Sequence, residues 1–70
     1  MKLYPFYECV DYAETLLSRG STVWQQFNCS SCGTKQTVPD KNVFYKHGKC
    51  EECGVETDIE KDGCNYMMII

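Results

Sequence analysis

Two short cysteine motifs, CSSCG at residues 29–33 and CEECG at residues 50–54, decide the fold of this chain. Seventeen residues separate the second cysteine of the first motif from the first cysteine of the second. This C-x2-C-x17-C-x2-C pattern lies within the spacing expected of a four-cysteine zinc site. Two residues between paired cysteines let both sulfurs reach one metal ion about 2.3 Å away. The glycine after each pair permits a positive φ, so backbone N–H groups can turn towards the sulfurs.

The spacing therefore predicts one structural Zn²⁺ held by four ligands: Cys29, Cys32, Cys50 and Cys53. A rubredoxin-like iron site uses the same ligands but usually has a proline in the second motif, where this chain has Glu51 and Glu52. A thioredoxin-like redox pair needs a larger α/β domain, and disulfides need an oxidising compartment. Catalytic zinc is not expected, because four thiolates leave no open position for water. We therefore expect a protein that is not an enzyme.

Length and composition indicate one small domain over residues 1–70 that a hydrophobic core alone stabilises poorly. Bound zinc would add on the order of 10 kcal/mol of folding free energy. The hydrophobic content of 43% excludes a disordered tail, and no run of about 18 apolar residues predicts a membrane span. The N-terminus lacks the apolar stretch of a signal peptide. We therefore expect a cytoplasmic protein without membrane or small-molecule partners.

Apolar spacing at residues 6–17 predicts an amphipathic helix from Pro5 to Arg19, with Gly20 just past its end. β-branched and aromatic residues predict short strands at 22–27, 35–38, 42–46 and 55–60. Asp62-Gly63 is a hairpin signal, and an apolar strand is expected over 64–70. The predicted fold class is therefore a small metal-stabilised α+β domain, with a helix packed on an antiparallel sheet.

The paired motifs and the β-rich sequence around them resemble the zinc-ribbon family over residues 22–63. The resemblance implies a ribbon at 22–63 between a helix at 5–20 and the strand at 64–70, and it implies no particular function. The whole chain also resembles small zinc-ribbon proteins of tailed bacteriophages, through the segments CGTKQT, NVF, GKCEECG and GCNYM. This second resemblance implies a phage accessory protein in the host cytoplasm or the virion.

Charge is unevenly distributed along the chain. Residues 29–50 carry four lysines against one aspartate, whereas residues 51–70 carry six acidic residues against one lysine. The basic segment also contains aromatic residues, a combination found at nucleic-acid interfaces. We predict a hairpin over residues 35–49, and the residues in it that are expected to contact nucleic acid or a partner are Lys35, Lys41, Phe44, Tyr45, Lys46 and Lys49. If the acidic segment lies beside this one, the charges cancel and protein binding is favoured.

The C-terminal residues Met67, Met68, Ile69 and Ile70 are consecutive and apolar, so a simple alternating strand cannot bury them all. We expect them to contact a protein partner or a second copy of the chain. The main prediction is thus a zinc ribbon that mediates protein–protein interaction, and the alternative is a ribbon that binds nucleic acid. Cys9 and Cys64 are expected to be buried free thiols, although a second site with His47 is conceivable.

Overall fold

The computed structural model describes residues 3–69 and has a small α+β fold. In chain order the elements are α1 (Phe6–Ser18), β1 (Thr22–Asn28), β2 (Lys35–Thr37), β3 (His47–Lys49), β4 (Glu56–Asp58), α2 (Ile59–Asp62) and β5 (Asn65–Ile69). One antiparallel sheet has the strand order β2-β1-β5, and β3 pairs with β4 in a second antiparallel sheet. The predicted fold class is confirmed.

The N-terminal helix follows the predicted periodicity closely. It has Pro5 as its N-cap and Arg19 as its C-cap, and its apolar side buries Phe6, Cys9 and Ala13. Gly20 has a φ of +86° and donates its N–H to the carbonyl of Leu17 at 3.0 Å, which ends the helix. α1 packs against β1, β5 and α2, so it lies over the three-stranded sheet.

The central strand β1 has two different faces. Val23, Gln25 and Phe27 point to one side and are at most 2% exposed. Their side is the covered face, because Phe27 joins a core cluster with residues of both helices. The opposite side, here called the open face, presents Thr22, Trp24 and Gln26 from β1 and Asn65, Met67 and Ile69 from β5. Among residues 3–69, no side chain of the open face belongs to the core cluster.

The prediction of a strand over residues 42–46 is wrong. Hydrogen bonds made by side chains of β1 and of the loop take the place of the backbone ladder that a strand would form. Gln25 Nε2 donates to the carbonyl of Tyr45 at 2.9 Å, and the Tyr45 N–H donates to Gln25 Oε1 at 2.8 Å. Asn42 pairs with both backbone groups of Val23, at 3.0 and 2.7 Å. The segment is therefore held as a loop, and β3 begins at His47, where the predicted strand was to end.

Two turn predictions are also wrong. Residues 35–49 do not form a hairpin, because β2 pairs with β1 whereas β3 pairs with β4. Asp62-Gly63 does not close a hairpin either, since residues 59–62 form α2. Asp58 caps this helix by accepting a hydrogen bond from the Lys61 N–H at 3.1 Å. The strand predicted at residues 55–60 is thus confirmed over Glu56–Asp58, and local capping replaces it with a helix from Ile59.

The second sheet packs on the covered face through a glycine. A Cβ atom at Gly48 would lie 2.6 Å from Phe27 Cε1 and 3.0 Å from Ile59 Cδ1. Gly48 thus lets the Phe27 ring lie directly on the backbone of β3. This contact joins the two sheets within the core.

We expect Gly48→Ala to lower the free energy of unfolding by about 2 kcal/mol, because the added methyl overpacks the core against Phe27. The measurement is urea unfolding of the metal-loaded protein. Gly20→Ala is the control, since its Cβ would meet nothing within 4 Å and only its positive φ is strained. In a double-mutant cycle, Phe27→Leu should cost less in the Gly48→Ala background than alone. Purely additive costs would contradict the steric explanation.

Candidate metal centre

The two cysteine motifs adopt the same local structure at the ends of two strand pairs. In the first, the Cys29 N–H donates to the Thr34 carbonyl at 3.0 Å and the Gly33 N–H to the Cys29 carbonyl at 3.0 Å. In the second, the Cys50 N–H donates to the Val55 carbonyl at 3.0 Å and the Gly54 N–H to the Cys50 carbonyl at 2.9 Å. We call these turns knuckle 1 (residues 29–34) and knuckle 2 (residues 50–55).

Both knuckles depend on their glycine. Gly33 has a φ of +73° and Gly54 a φ of +75°, a region that residues with a Cβ rarely adopt. This conformation closes each turn, so the second cysteine of a pair comes back beside the first.

The four sulfur atoms converge on one point. Cys29 Sγ lies 3.4 Å from Cys53 Sγ, Cys32 Sγ lies 3.6 Å from Cys50 Sγ, and all four lie within 4.8 Å of one another. A tetrahedral site with metal–sulfur bonds of about 2.3 Å places its sulfurs about 3.8 Å apart. The cluster therefore fits a single metal ion bound by all four cysteines. Bound there, the ion would cross-link the two knuckles.

Burial divides the cluster into an inner and an outer half. Cys29 is 3% exposed and Cys50 1% exposed, whereas Cys32 and Cys53 are exposed to solvent. Each knuckle thus supplies one sulfur to the interior and one to the surface. The outer half of the cluster is therefore open to solvent.

Backbone groups aimed at the sulfurs favour their deprotonated form. The N–H groups of Cys32 and Ser31 donate to Cys29 Sγ at 3.5 and 3.4 Å, and these bonds lower the pKa of Cys29 to about 6. Thr34 lowers the pKa of Cys32 through its hydroxyl, 3.1 Å away, and its N–H. Thiolates are the form that binds a metal ion, so both shifts prepare the site for a cation.

Cys53 behaves in the opposite way. The Val55 N–H favours its thiolate, but the neighbouring sulfurs and partial burial outweigh that bond and raise the pKa of Cys53 to about 12. A proton is therefore retained at this position when no cation balances the sulfur charges. Metal binding must displace it, so affinity for the metal falls as the pH is lowered.

Two residues around the cluster were missed by the sequence reasoning. Gln36, 9% exposed, donates from Nε2 to Cys50 Sγ at 3.5 Å and accepts the Glu51 N–H at 3.5 Å. Thr57, 1% exposed, accepts the Ser30 N–H at 3.0 Å and so ties knuckle 1 to β4. The sequence indicates these two residues only through the alternation of side chains along a strand. Each is a polar residue at the one position of its short strand whose side chain points inward.

The basic and aromatic residues predicted between 35 and 49 lie in several different environments. Lys46 Nζ lies 3.4 Å from Glu60 Oε2, and Lys49 lies opposite Glu56 in the β3–β4 pair. Phe44 is half-buried against the core. The remaining three are exposed, with Lys35 on β2, Lys41 in a turn, and the hydroxyl of Tyr45 donating to Asp40 at 2.6 Å. The acidic segment therefore lies beside the basic one.

The apolar C-terminal residues lie in β5 and are exposed by 41% at Met67, 40% at Met68 and 52% at Ile69. The predicted contribution of Ile70 lies outside the described residues. Met67 and Ile69 belong to the open face, while Met68 points to the covered side.

The remaining cysteines are buried thiols. Cys9 and Cys64 are both 0% exposed, and Cys9 Sγ donates to the Cys64 carbonyl at 3.1 Å. Burial raises the pKa of Cys9 to about 12 and also raises that of Cys64. His47 is exposed on β3, with Nδ1 3.9 Å from Glu56 Oε1. Within residues 3–69 these three side chains do not form a second metal cluster.

No family model, curated protein or solved structure matches this chain. The described residues contain no helix long and apolar enough to cross a membrane. The four-cysteine cluster is consistent with a zinc-ribbon-like site. The resemblance to phage proteins remains a prediction from the sequence.

We expect a strong chelator to unfold the protein, because the metal supplies on the order of 10 kcal/mol of folding free energy. Loss of circular dichroism, restored by added metal, is the measurement. Cys32→Ser should abolish the tetrathiolate absorption of a cobalt-substituted sample, and Cys64→Ser, outside the cluster, should retain it. A chelated protein with native spectra and an unchanged melting transition would disprove this dependence.

Gln36→Leu should weaken metal binding by about 10- to 100-fold, because it removes a side chain that donates to a ligand sulfur. Competition with a chelating dye at fixed pH measures the affinity. Gln26→Leu is the matched control, since Gln26 is 8% exposed but bonds to the Thr37 hydroxyl and to no sulfur. Equal losses in the two variants would mean that Gln36 acts through general stability alone.

Proposed function

We propose that the chain is a non-enzymatic zinc-ribbon module whose role is to bind another protein. One Zn²⁺, held by the four cysteines, is the cofactor that the donor set favours, because four thiolates at tetrahedral spacing suit zinc. Such a site has no open position for substrate or water, which supports a structural role. A reducing compartment would keep the cysteines available as thiols for the metal, so we propose that the protein acts in the cytoplasm.

The observation that carries this proposal is the open face of the three-stranded sheet. Trp24 and Met67 lie opposite each other on it, and Ile69 adds a further exposed apolar side chain. Neither β1 nor β5 contains a charged residue. On the same side, β2 adds Thr37 opposite Gln26 and the charged Lys35 opposite Asn28, at the far edge from Met67 and Ile69. An apolar sheet surface of this kind is typical of a protein contact.

The layout of charge supports a protein partner over nucleic acid. A polyanion needs a basic surface that is free to neutralise phosphates. Here Lys46 pairs with Glu60, and Lys49 faces Glu56 across the β3–β4 pair, so two of the four lysines in the basic segment have a carboxylate beside them. The chain is also acidic overall, with a net charge of −3.

The resemblance to phage proteins adds a setting to the proposal. In that setting the module is an accessory or assembly protein that acts in the host cytoplasm or within the virion. Its small size and its metal cross-link suit a role in which one rigid surface is presented to a partner.

Photo-crosslinking from the open face tests the proposed function. We expect Met67→p-benzoylphenylalanine to give a discrete protein adduct in the cell that makes the chain, because its side chain would lie in the contact. Val43→p-benzoylphenylalanine is the control, since Val43 is 37% exposed, close to the 41% of Met67, but lies in the loop after β2. Gel mobility and mass spectrometry identify the adducts.

Three results would contradict the proposal. A nucleic-acid adduct from position 67 would favour the alternative function. The same adducts from positions 67 and 43 would show that the open face is not selective. The absence of any adduct from position 67 would show that the open face does not contact a protein in the cell.

A further inference from the structure

A groove of about 380 Å³ runs between α1 and the outer edge of β5. Its walls are Tyr4, Glu8, Cys9, Tyr12, Asn65 and Tyr66. It continues along the helix as a shallower depression that shares Glu8 and Tyr12 and adds Asp11 and Thr15. The groove therefore combines tyrosine rings with carboxylates.

The edge of β5 beside this groove has unpaired backbone groups. The ladder to β1 uses Asn65, Met67 and Ile69, so Tyr66 and Met68 direct their N–H and C=O groups outward. The Tyr66 N–H bonds to Asn65 Oδ1 at 2.8 Å. Within residues 3–69, both backbone groups of Met68 are left without a partner.

β5 also lacks the devices that normally protect an edge strand. It contains no lysine, no other charge, no proline and no glycine over Asn65–Ile69. Just before β5, Tyr4 and Cys64 exchange backbone hydrogen bonds of 2.8 and 3.0 Å, which occupy the outward groups of Cys64. Among residues 3–69, the edge farther along, at Met68, is a template for one further strand.

The charge around the groove determines which side chains the added strand should have. α1 contains Glu8, Asp11 and Glu14 and no basic residue. Among residues 3–69, the carboxylates of Glu8 and Asp11 make no hydrogen bond or ion pair. A lysine or arginine side chain in the groove would gain an ion pair and a cation–π contact with the tyrosine rings.

A second copy of this chain fits the same edge poorly. Antiparallel pairing of two β5 strands about a two-fold axis places both α1 helices on one side of the joined sheet. Their acidic residues would then face each other across the seam, where like charges repel. The charges favour a different, basic partner.

We propose that the β5 edge and its groove bind an extended segment of a partner protein in which basic and apolar residues alternate. The proposal rests on the protein-binding function above and specifies the partner's chemistry. The segment's backbone pairs with Met68, and its basic side chains enter the groove on the covered side. Its apolar side chains extend the open face beside Met67 and Ile69, since successive residues of a strand point to opposite sides.

Titration of the zinc-loaded protein with a peptide of alternating lysine and valine tests this inference. Amide hydrogen exchange followed by NMR is the measurement. We expect the Met68 amide to become protected on binding, because it gains a strand partner. The Met67 amide, already bonded to β1, is the internal reference and should change little. A peptide of alternating glutamate and valine should not bind.

Variants separate the groove from the general charge of the helix. Glu8→Lys should weaken binding of the lysine–valine peptide about tenfold, because it replaces attraction by repulsion within the groove. Glu14→Lys makes the same charge change on the same helix outside the groove and should alter affinity less than about twofold. Met68→Pro removes the outward N–H without touching the β1 ladder, and it should weaken binding of the lysine–valine peptide, because the added strand loses a backbone hydrogen bond.

Equal binding of the two peptides, or equal effects of Glu8→Lys and Glu14→Lys, would overturn the inference. Dimerisation of the free protein that Met68→Pro abolishes would assign the edge to a second copy and overturn it as well. A protein adduct from position 67 without lysine–valine binding would reject this inference but keep the proposed function. Failure of the crosslink as well would reject both.

Discussion

The convergence of four cysteine sulfurs on one point is the constraint on which the rest of this structure depends. Knuckle 1 ends the β1–β2 pair and knuckle 2 ends the β3–β4 pair, so the cluster joins two sheets that share no strand. Strands of three residues, such as β2, β3 and β4, are too short to form stable sheets alone. A metal cross-link at their common end would supply the stability that a 70-residue core does not.

Hydrogen bonds from buried glutamines also fix the position of the loops around the two sheets. Gln25 holds the loop at Tyr45 from within the core, and Gln36 holds knuckle 2 from β2. Every buried side-chain nitrogen and oxygen of the described residues has a hydrogen-bond partner. Because an unpaired amide in the core is costly, these bonds favour one arrangement of the loops over others. The polar core thus specifies how the two sheets meet, while a metal ion bound by the four cysteines would keep them together.

The elements that the sequence predicts correctly are those decided by local spacing. The helix at Phe6–Ser18 follows from its apolar stripe, and the cysteine cluster follows from two identical motifs. The errors arise where a distant group competes with local propensity. Residues 42–46 have a strand-like sequence, but they form hydrogen bonds with Gln25 and Val23 instead of a ladder with a neighbouring strand. Residues 59–62 become a helix because Asp58 caps them. Gln36 could not be assigned to the site, since its contact with Cys50 depends on how the sheets pack.

The same packing determines where the net charge of the molecule lies. Outside α1, seven basic residues balance seven acidic ones, so the net charge of −3 equals that of the helix. A bound Zn²⁺ with four thiolates adds a second negative centre at the knuckles. Between these lie β1 and β5, which carry no charge. The field of the helix would therefore attract the proposed cationic chain to the neutral edge beside it, where backbone pairing rather than charge would hold that chain in register.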